Sequence, residues 1–198
     1  ENNLNQPGRA LKYKAEMKEA LKGTITIVSG LPRSGTSMLM QMLDVGGLEV
    51  FTDKKRTADE SNPKGYYEHE AVKAMQRNQS FMPQAKDKVV KIIAHLLPVL
   101  RRDFKYQIIF MERDIMEVIA SQQKMLSQQD KNVKADVFPM KLMKQYEETI
   151  KKVKKWVENT PNIEIKYIQH REVIKNPFMQ AMMINDMAMA SFSGCSTK

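Results

Sequence analysis

Residues 24–37 read TITIVSGLPRSGTS, an apolar and β-branched run followed by a turn that contains two glycines. The run predicts a buried strand over 24–29, and the helically spaced apolar residues after the turn predict a helix that stops at Gly46. Small residues in such a turn let successive backbone N–H groups surround a phosphate at the N-terminus of the helix. The order strand, glycine loop, helix therefore predicts an anion site over 30–37 rather than an ordinary glycine turn.

The rest of the chain alternates strands with helices. Strands are predicted at 89–93, 107–111 and 163–169, with a short helix at 69–77 and a long amphipathic helix at 139–158. Nearly all-apolar strands are typical of a parallel sheet that helices cover on both faces. Right-handed crossovers then predict an α/β fold of three α/β/α layers, with a mainly parallel sheet and P-loop (nucleoside triphosphate hydrolase-like) topology. Ligands of such sheets bind at the carboxyl ends of the strands.

Length and composition narrow the class of protein. The 198 residues suffice for one domain with a sizeable core, so 1–198 is interpreted as a single domain whose ends, 1–8 and about 187–198, are irregular. A single cysteine, Cys195, excludes an intramolecular disulfide and a thiolate zinc cluster, and no metal site is expected. Since no apolar run reaches the roughly 18 residues of a membrane span, we expect no transmembrane segment and a cytoplasmic protein.

The chain is basic, with a formal net charge of +9. Such a balance suggests a polyanionic partner, which can be a nucleic acid, an anionic surface or a phosphorylated cofactor. The lysines of the predicted helix at 139–158 are interpreted as its solvated face. We therefore expect no nucleic-acid partner, although the net charge alone does not choose among the three kinds of polyanion.

The glycine loop lacks the features of a standard nucleotide hydrolase. Thr36 occupies the position of the usual P-loop lysine, and Arg33 lies inside the loop. The strand at 107–111 runs into Glu112 and Arg113, without a clear aspartate to help hold magnesium. Hydrolases of ATP and GTP use that lysine and that aspartate at the phosphates and the metal ion. The sequence thus argues against a standard NTPase.

Two motifs resemble those of the sulfotransferases that use 3′-phosphoadenosine 5′-phosphosulfate (PAPS). The loop over 32–37, PRSGTS, is similar to the family's Pro-Lys/Arg-Ser-Gly-Thr-Thr/Ser, and its Arg form looks like the protein-tyrosine sulfotransferase version. Arg113 and Ser121 have the spacing of the family's arginine and serine that contact the 3′-phosphate. The resemblance covers about 24–177 and includes a later segment similar to the family's Tyr-Glu-Asp segment, with His170 in the place of the tyrosine.

The resemblance implies PAPS as the donor of a sulfuryl group and 3′-phosphoadenosine 5′-phosphate (PAP) as a product. A ligand with phosphates at both ends of its ribose needs two anion sites, and arginine suits each because its fork makes paired charged hydrogen bonds. Arg113 and Ser121 are then expected to bind the 3′-phosphate, and Arg33 to stabilise charge that develops on the phosphosulfate bridge. The residues expected to bind the 5′-phosphate are Ser34, Gly35, Thr36 and Ser37.

Two residues are candidates for the general base that removes the acceptor's proton. Glu68 ends the stretch NPKGYYE over 62–68, which resembles a motif of bacterial sulfotransferases on the expected substrate loop. His95 resembles the histidine of cytosolic sulfotransferases. Since geometry decides before pKa, other residues stay open as the base, namely His69, Glu70, Asp59 and Glu60.

The acceptor and the oligomeric state are left open by the sequence. The acceptor is expected to carry a hydroxyl, or in second place an amine, on a small molecule, peptide, glycan or lipid. Tyr66, Tyr67 and Phe81 are candidates for its pocket, with a packing role as the alternative. Two other functions are carried as alternatives, a P-loop nucleotide kinase or NTPase and a nonenzymatic nucleotide or nucleic-acid binding protein.

Overall fold

The computed structural model describes residues 15, 19, 21–53, 55, 65–129, 139–181 and 183–184. The strands form one five-stranded sheet of order β2-β3-β1-β4-β5, and every neighbouring pair is parallel. The strands are β1 (Thr24–Gly30), β2 (Val50–Phe51), β3 (Val89–Lys91), β4 (Lys105–Glu112) and β5 (Ile163–Gln169). The predicted α/β fold with a mainly parallel sheet is confirmed, and β1 lies at its centre.

Helices follow the strands at the carboxyl edge of the sheet. They are α1 (Thr36–Val45), α2 (Glu70–Lys73), α3 (Ile115–Gln129), α4 (Met140–Glu158) and α5 (His170–Lys175). Two 3₁₀ segments, Met82–Ala85 and Ala94–Val99, flank β3. Among the residues that the structure describes, none of these helices is long and apolar enough to cross a membrane.

Helices cover both faces of the sheet. Successive side chains of a strand point to opposite faces, so an apolar strand such as β1 contributes to two cores. Ile25 and Ile27 pack in the core that contains Val118 of α3. Val28 packs in the other core, with Leu39 of α1. The three-layer α/β/α arrangement explains why β1 and β4 are buried along most of their length, whereas β5, at the edge of the sheet, alternates apolar and polar residues.

Several predicted boundaries were wrong. The helix predicted at 69–77 spans only Glu70–Lys73, because the Met75 N–H bonds to the carbonyl three residues back, at Val72, and begins a series of turns. The strand predicted at 89–93 ends at Lys91, since a 3₁₀ segment follows. The prediction omitted β2, whose two residues are too few to show a period. The predicted irregular ends lie outside the described residues.

Candidate active site

The glycine loop, residues 30–37, connects β1 to α1. Gly35 is the N-cap of α1 with a left-handed φ of 101°, and no side chain caps the helix there. The first N–H groups of a helix have no acceptor within it, so α1 presents donors toward the loop. Arg33 also has a left-handed φ, of 66°. This conformation turns the loop sharply ahead of the helix.

Two positions of the loop have room only for glycine. A Cβ added at Gly30 would lie 2.7 Å from the carbonyl oxygen of Met111 in β4, and closer still to Ser34 Oγ. A Cβ added at Gly35 would lie 2.6 Å from Cδ2 of His170, the first residue of α5. The loop is therefore packed directly against the ends of β4 and β5.

Arg33, Arg113 and Ser121 form one cluster beside the loop. Arg113 follows β4, and its Nη1 donates a hydrogen bond of 2.9 Å to the Arg33 carbonyl oxygen. The Arg33 side chain reaches α3, where its Nε donates to Ser121 Oγ over 3.1 Å. Residues that are 80 and 88 positions apart in the sequence are thereby brought together. The two strand-to-helix turns that the sequence singled out thus lie next to each other.

Glu117 links this cluster to α5. Its Oε2 accepts from Arg113 Nε over 3.1 Å, and its Oε1 accepts from Arg171 Nε over 3.1 Å and from Arg171 Nη2. Arg171, and then Arg113, lowers the pKa of the Glu117 carboxyl. Its backbone N–H bonds to Asp114 Oδ1, which caps α3. Sequence reasoning did not assign a site role to Glu117 or Arg171, because the spacing of Asp114 and Glu117 is that of an ordinary helix start.

Lys91, at the end of β3, is a buried cation that the sequence analysis missed. It is 8% exposed, and its Nζ donates to Ser37 Oγ over 3.0 Å and to the Tyr66 carbonyl oxygen over 2.9 Å. Nζ also lies 3.5 Å from Glu68 Oε1. A buried charge is costly unless it is paired and hydrogen-bonded. The available signal was the lysine itself, because lysine is rarely buried in a strand unless it has such partners.

A cavity of about 630 Å³ lies in front of the loop, within the range of small-molecule sites. Ser34 does not line it, since this residue is 1% exposed and its Oγ is buried without a hydrogen-bond partner. Lys91 belongs to the lining. The lining also includes ten of the residues selected from the sequence, namely Arg33, Gly35, Thr36, Ser37, Tyr66, Glu68, His69, His95, Arg113 and Ser121.

The candidate bases occupy different environments. Glu68 and His95 both line the cavity, Glu68 beside Lys91 and His95 on the exposed side of a 3₁₀ segment. His69 also lines it, but its Nδ1 accepts the Ala71 N–H over 3.1 Å and its ring stacks on Phe51. That Nδ1 lone pair is engaged in capping α2.

The remaining candidate bases either do not line the cavity or lie outside the described residues. Glu70 is exposed and pairs with Lys73 over 3.2 Å. Asp59 and Glu60 lie outside the part of the chain that the structure describes. Among the described residues, no group of three or more His, Cys, Asp and Glu side chains is placed to hold a metal ion.

The three aromatic candidates for an acceptor pocket lie in different environments in the structure. Tyr66 lines the cavity. Tyr67 instead donates its hydroxyl to Asp44 Oδ2 over 3.2 Å, and burial together with Asp44 raises the pKa of Tyr67. Phe81 is buried in the core and stacks on Phe51 with ring centroids 5.8 Å apart. Of the two roles left open by the sequence, packing is the one that fits Tyr67 and Phe81, since neither lines this cavity.

His170 lies beside the loop without lining the cavity. Its ring packs against Gly35, and its Nδ1 is buried without a hydrogen-bond partner. Burial, reinforced by the nearby Arg113, lowers the pKa of His170, while Glu117 acts in the opposite direction. Burial therefore favours the neutral form of the imidazole, which shapes the loop by packing.

The fold and the site define a class of protein. A central parallel strand that runs into a glycine loop and then a helix is typical of α/β proteins with P-loop topology. The family model described as the sulfotransferase domain matches residues 24–197. The chain therefore belongs to the sulfotransferase family, a family of transferases. No curated protein was found to be significantly similar to it.

Proposed function

We propose that the chain transfers a sulfuryl group from PAPS to a hydroxyl, or in second place an amine, of an acceptor. The observation that carries the proposal is the 2.9 Å hydrogen bond from Arg113 Nη1 to the Arg33 carbonyl oxygen. This bond joins the turn that carries Arg33 to the turn that carries Arg113, and both arginines line the same cavity. A single ligand with phosphates at two positions could therefore contact both turns. Membership of the sulfotransferase family supports the same reaction.

The loop residues fit the 5′-phosphate end of such a ligand. Gly35 lines the cavity and is the N-cap of α1, with no side chain bonded to the first N–H groups of the helix. The N-terminus of α1 favours negative charge there. Thr36 and Ser37 line the cavity with their hydroxyl groups, and the Ser37 Oγ also accepts from Lys91 Nζ. Ser34 is buried outside this lining and adds no hydroxyl to it.

Arg113 and Ser121 fit the 3′-phosphate end. Arg113 uses Nε for Glu117 and Nη1 for the loop, and a guanidinium has five N–H donors in all. Ser121 Oγ accepts from Arg33 Nε, so the hydroxyl hydrogen of Ser121 stays available as a donor. Both residues can therefore keep their present contacts and still donate to a phosphate.

The chemistry divides between charge stabilisation and proton removal. When bound, PAPS supplies a sulfuryl group whose departure leaves negative charge on a phosphate oxygen. Arg33 and Lys91 provide positive charge on the cavity wall for that oxygen. Glu68 accepts the proton of the acceptor hydroxyl, because its carboxylate lines the same cavity and is held there 3.5 Å from Lys91 Nζ. His95 remains the alternative base.

Replacement of Glu68 tests this assignment. Glu68→Gln should lower kcat by about 10²- to 10⁴-fold, because it removes the proton acceptor and keeps an oxygen near Lys91. The measurement is the initial rate of sulfate transfer, with the melting temperature as a check on folding. Glu70→Gln is the matched control and should retain full activity, since Glu70 is exposed and pairs only at the surface of α2. If His95→Asn is inactive while Glu68→Gln is active, His95 is the base.

Ligand selectivity tests the proposed function itself. A ligand that binds only the folded state, present at 100 times its Kd, adds about 2.7 kcal/mol to the free energy of unfolding. For a chain of this length, each kcal/mol raises the melting temperature by about 2–4 °C. PAP should therefore raise the melting temperature by roughly 5–10 °C, and more than ATP with magnesium does. Sulfate transfer should be unchanged in EDTA. A larger shift with ATP and magnesium, together with loss of activity in EDTA, would indicate a kinase or NTPase.

A further inference from the structure

The first turns of α3 and α5 meet over one carboxylate. The parallel register of β4 and β5 pairs Glu112 with Gln169, so the two helices that follow begin side by side. Glu117 Oε2 then accepts from Arg113, and Glu117 Oε1 accepts from Arg171 through both Nε and Nη2. One carboxylate is thus shared by two guanidinium groups, that of Arg113 from the turn between β4 and α3 and that of Arg171 from α5.

This arrangement has a consequence for any anion that Arg113 binds. Without Arg171, the pair of Arg113 and Glu117 would carry no net charge, and the carboxylate would repel a phosphate nearby. With Arg171, the three side chains carry a net charge of +1. Arg171 itself is 70% exposed on its side chain and does not line the cavity. Its contact is with Glu117 rather than with the cavity.

We propose, on the basis of the proposed function, that Arg171 is a positioning residue for the nucleotide. It neutralises Glu117, and Arg113 thereby keeps its positive charge available to the 3′-phosphate while Glu117 holds the Arg113 guanidinium in place. Surface ion pairs contribute little to stability, so the loss of Arg171 leaves the chain folded. The role of Arg171 is therefore visible in the binding of 3′-phosphorylated nucleotides and not in the melting temperature.

The experiment measures the Kd of PAP by calorimetry. Arg171→Ala should weaken binding by about 3- to 10-fold, the size expected for an uncompensated charge at an exposed site. Arg171→Lys should recover most of the affinity. Lys175→Ala is the matched control, since it removes an exposed positive charge from the same helix and should leave the Kd unchanged. The difference between wild type and Arg171→Ala should shrink as salt is raised.

Two comparisons identify the mechanism. In a Glu117→Gln background the Arg171→Ala change should have no effect, because no carboxylate remains to be neutralised. Adenosine 5′-phosphate, which lacks the 3′-phosphate, should bind equally to wild type and Arg171→Ala. An effect of equal size in the Glu117→Gln background, or on adenosine 5′-phosphate, overturns the inference. A wild-type chain that does not bind PAP overturns the proposed function and this inference with it.

Discussion

Arg33→Ala is expected to reduce the turnover of sulfate transfer by about 10²- to 10³-fold, the usual cost of losing one positioned charge donor. The left-handed backbone of Arg33 directs its side chain along the cavity toward Ser121 and α3. Alanine removes the guanidinium but retains the carbonyl oxygen to which Arg113 donates. The loop and the second arginine therefore stay connected, and the Kd of PAP should change far less than kcat.

The measurement is a comparison of kcat with the Kd of PAP for wild type and Arg33→Ala. Arg102→Ala serves as the control, because Arg102 is an exposed arginine whose hydrogen bond to Asn162 is made by its backbone carbonyl. That variant should behave as wild type. An Arg33→Ala chain that turns over at the wild-type rate would show that Arg33 does not stabilise the departing charge.

Gly30→Ala should destabilise the fold by about 2–6 kcal/mol, as the sum of a strained backbone and an overpacked contact. The added Cβ would lie 2.7 Å from the Met111 carbonyl oxygen, which belongs to the backbone of β4 and cannot move independently. The sheet must therefore shift where β1 and β4 pair. With about 2–4 °C per kcal/mol, the melting temperature should fall by roughly 4–24 °C.

Gly23→Ala separates the two causes. Gly23 also has a positive φ, of 74°, but a Cβ there would meet no atom within 4 Å. Its substitution by alanine should lower the free energy of unfolding only by the cost of backbone strain, about 1–2 kcal/mol. The thermal or denaturant unfolding of both variants provides the comparison. If the two lose equal stability, the close approach of the loop to β4 contributes nothing.

The sequence predicted the parts of the fold that carry their own pattern. The strand predicted at 163–169 matches β5 residue for residue, and the helix predicted at 139–158 differs from α4 by one residue. The alternation of apolar and polar residues in β5 and the long amphipathic pattern of α4 are recognisable without knowledge of their neighbours. In contrast, β2 has two residues, and its pairing with β3 is what makes it a strand.

The site could be predicted only as separate motifs. Arg33 and Arg113 were selected because each follows or ends a strand in a recognisable pattern, but their contact depends on how β1 and β4 pair. Lys91 was missed because its partners come from two other segments, at Ser37 and Tyr66. A charge in an apolar run indicates that partners exist, but it does not indicate which residues they are. The same holds for Arg171, which reaches Glu117 from another helix.

The central position of β1 gives the cavity two walls of separate origin. Lys91 and the 3₁₀ segment with His95 come from the β3 side of the sheet, whereas Arg113 and Ser121 come from the β4 side. Under the proposed function, the 3₁₀ segment with His95 faces the acceptor and the β4 side holds the donor nucleotide, while Lys91 contacts Ser37 of the phosphate loop. Substitutions in the 3₁₀ segment can then diversify the acceptor while nucleotide recognition stays intact, which makes the scaffold modular for evolution and for engineering.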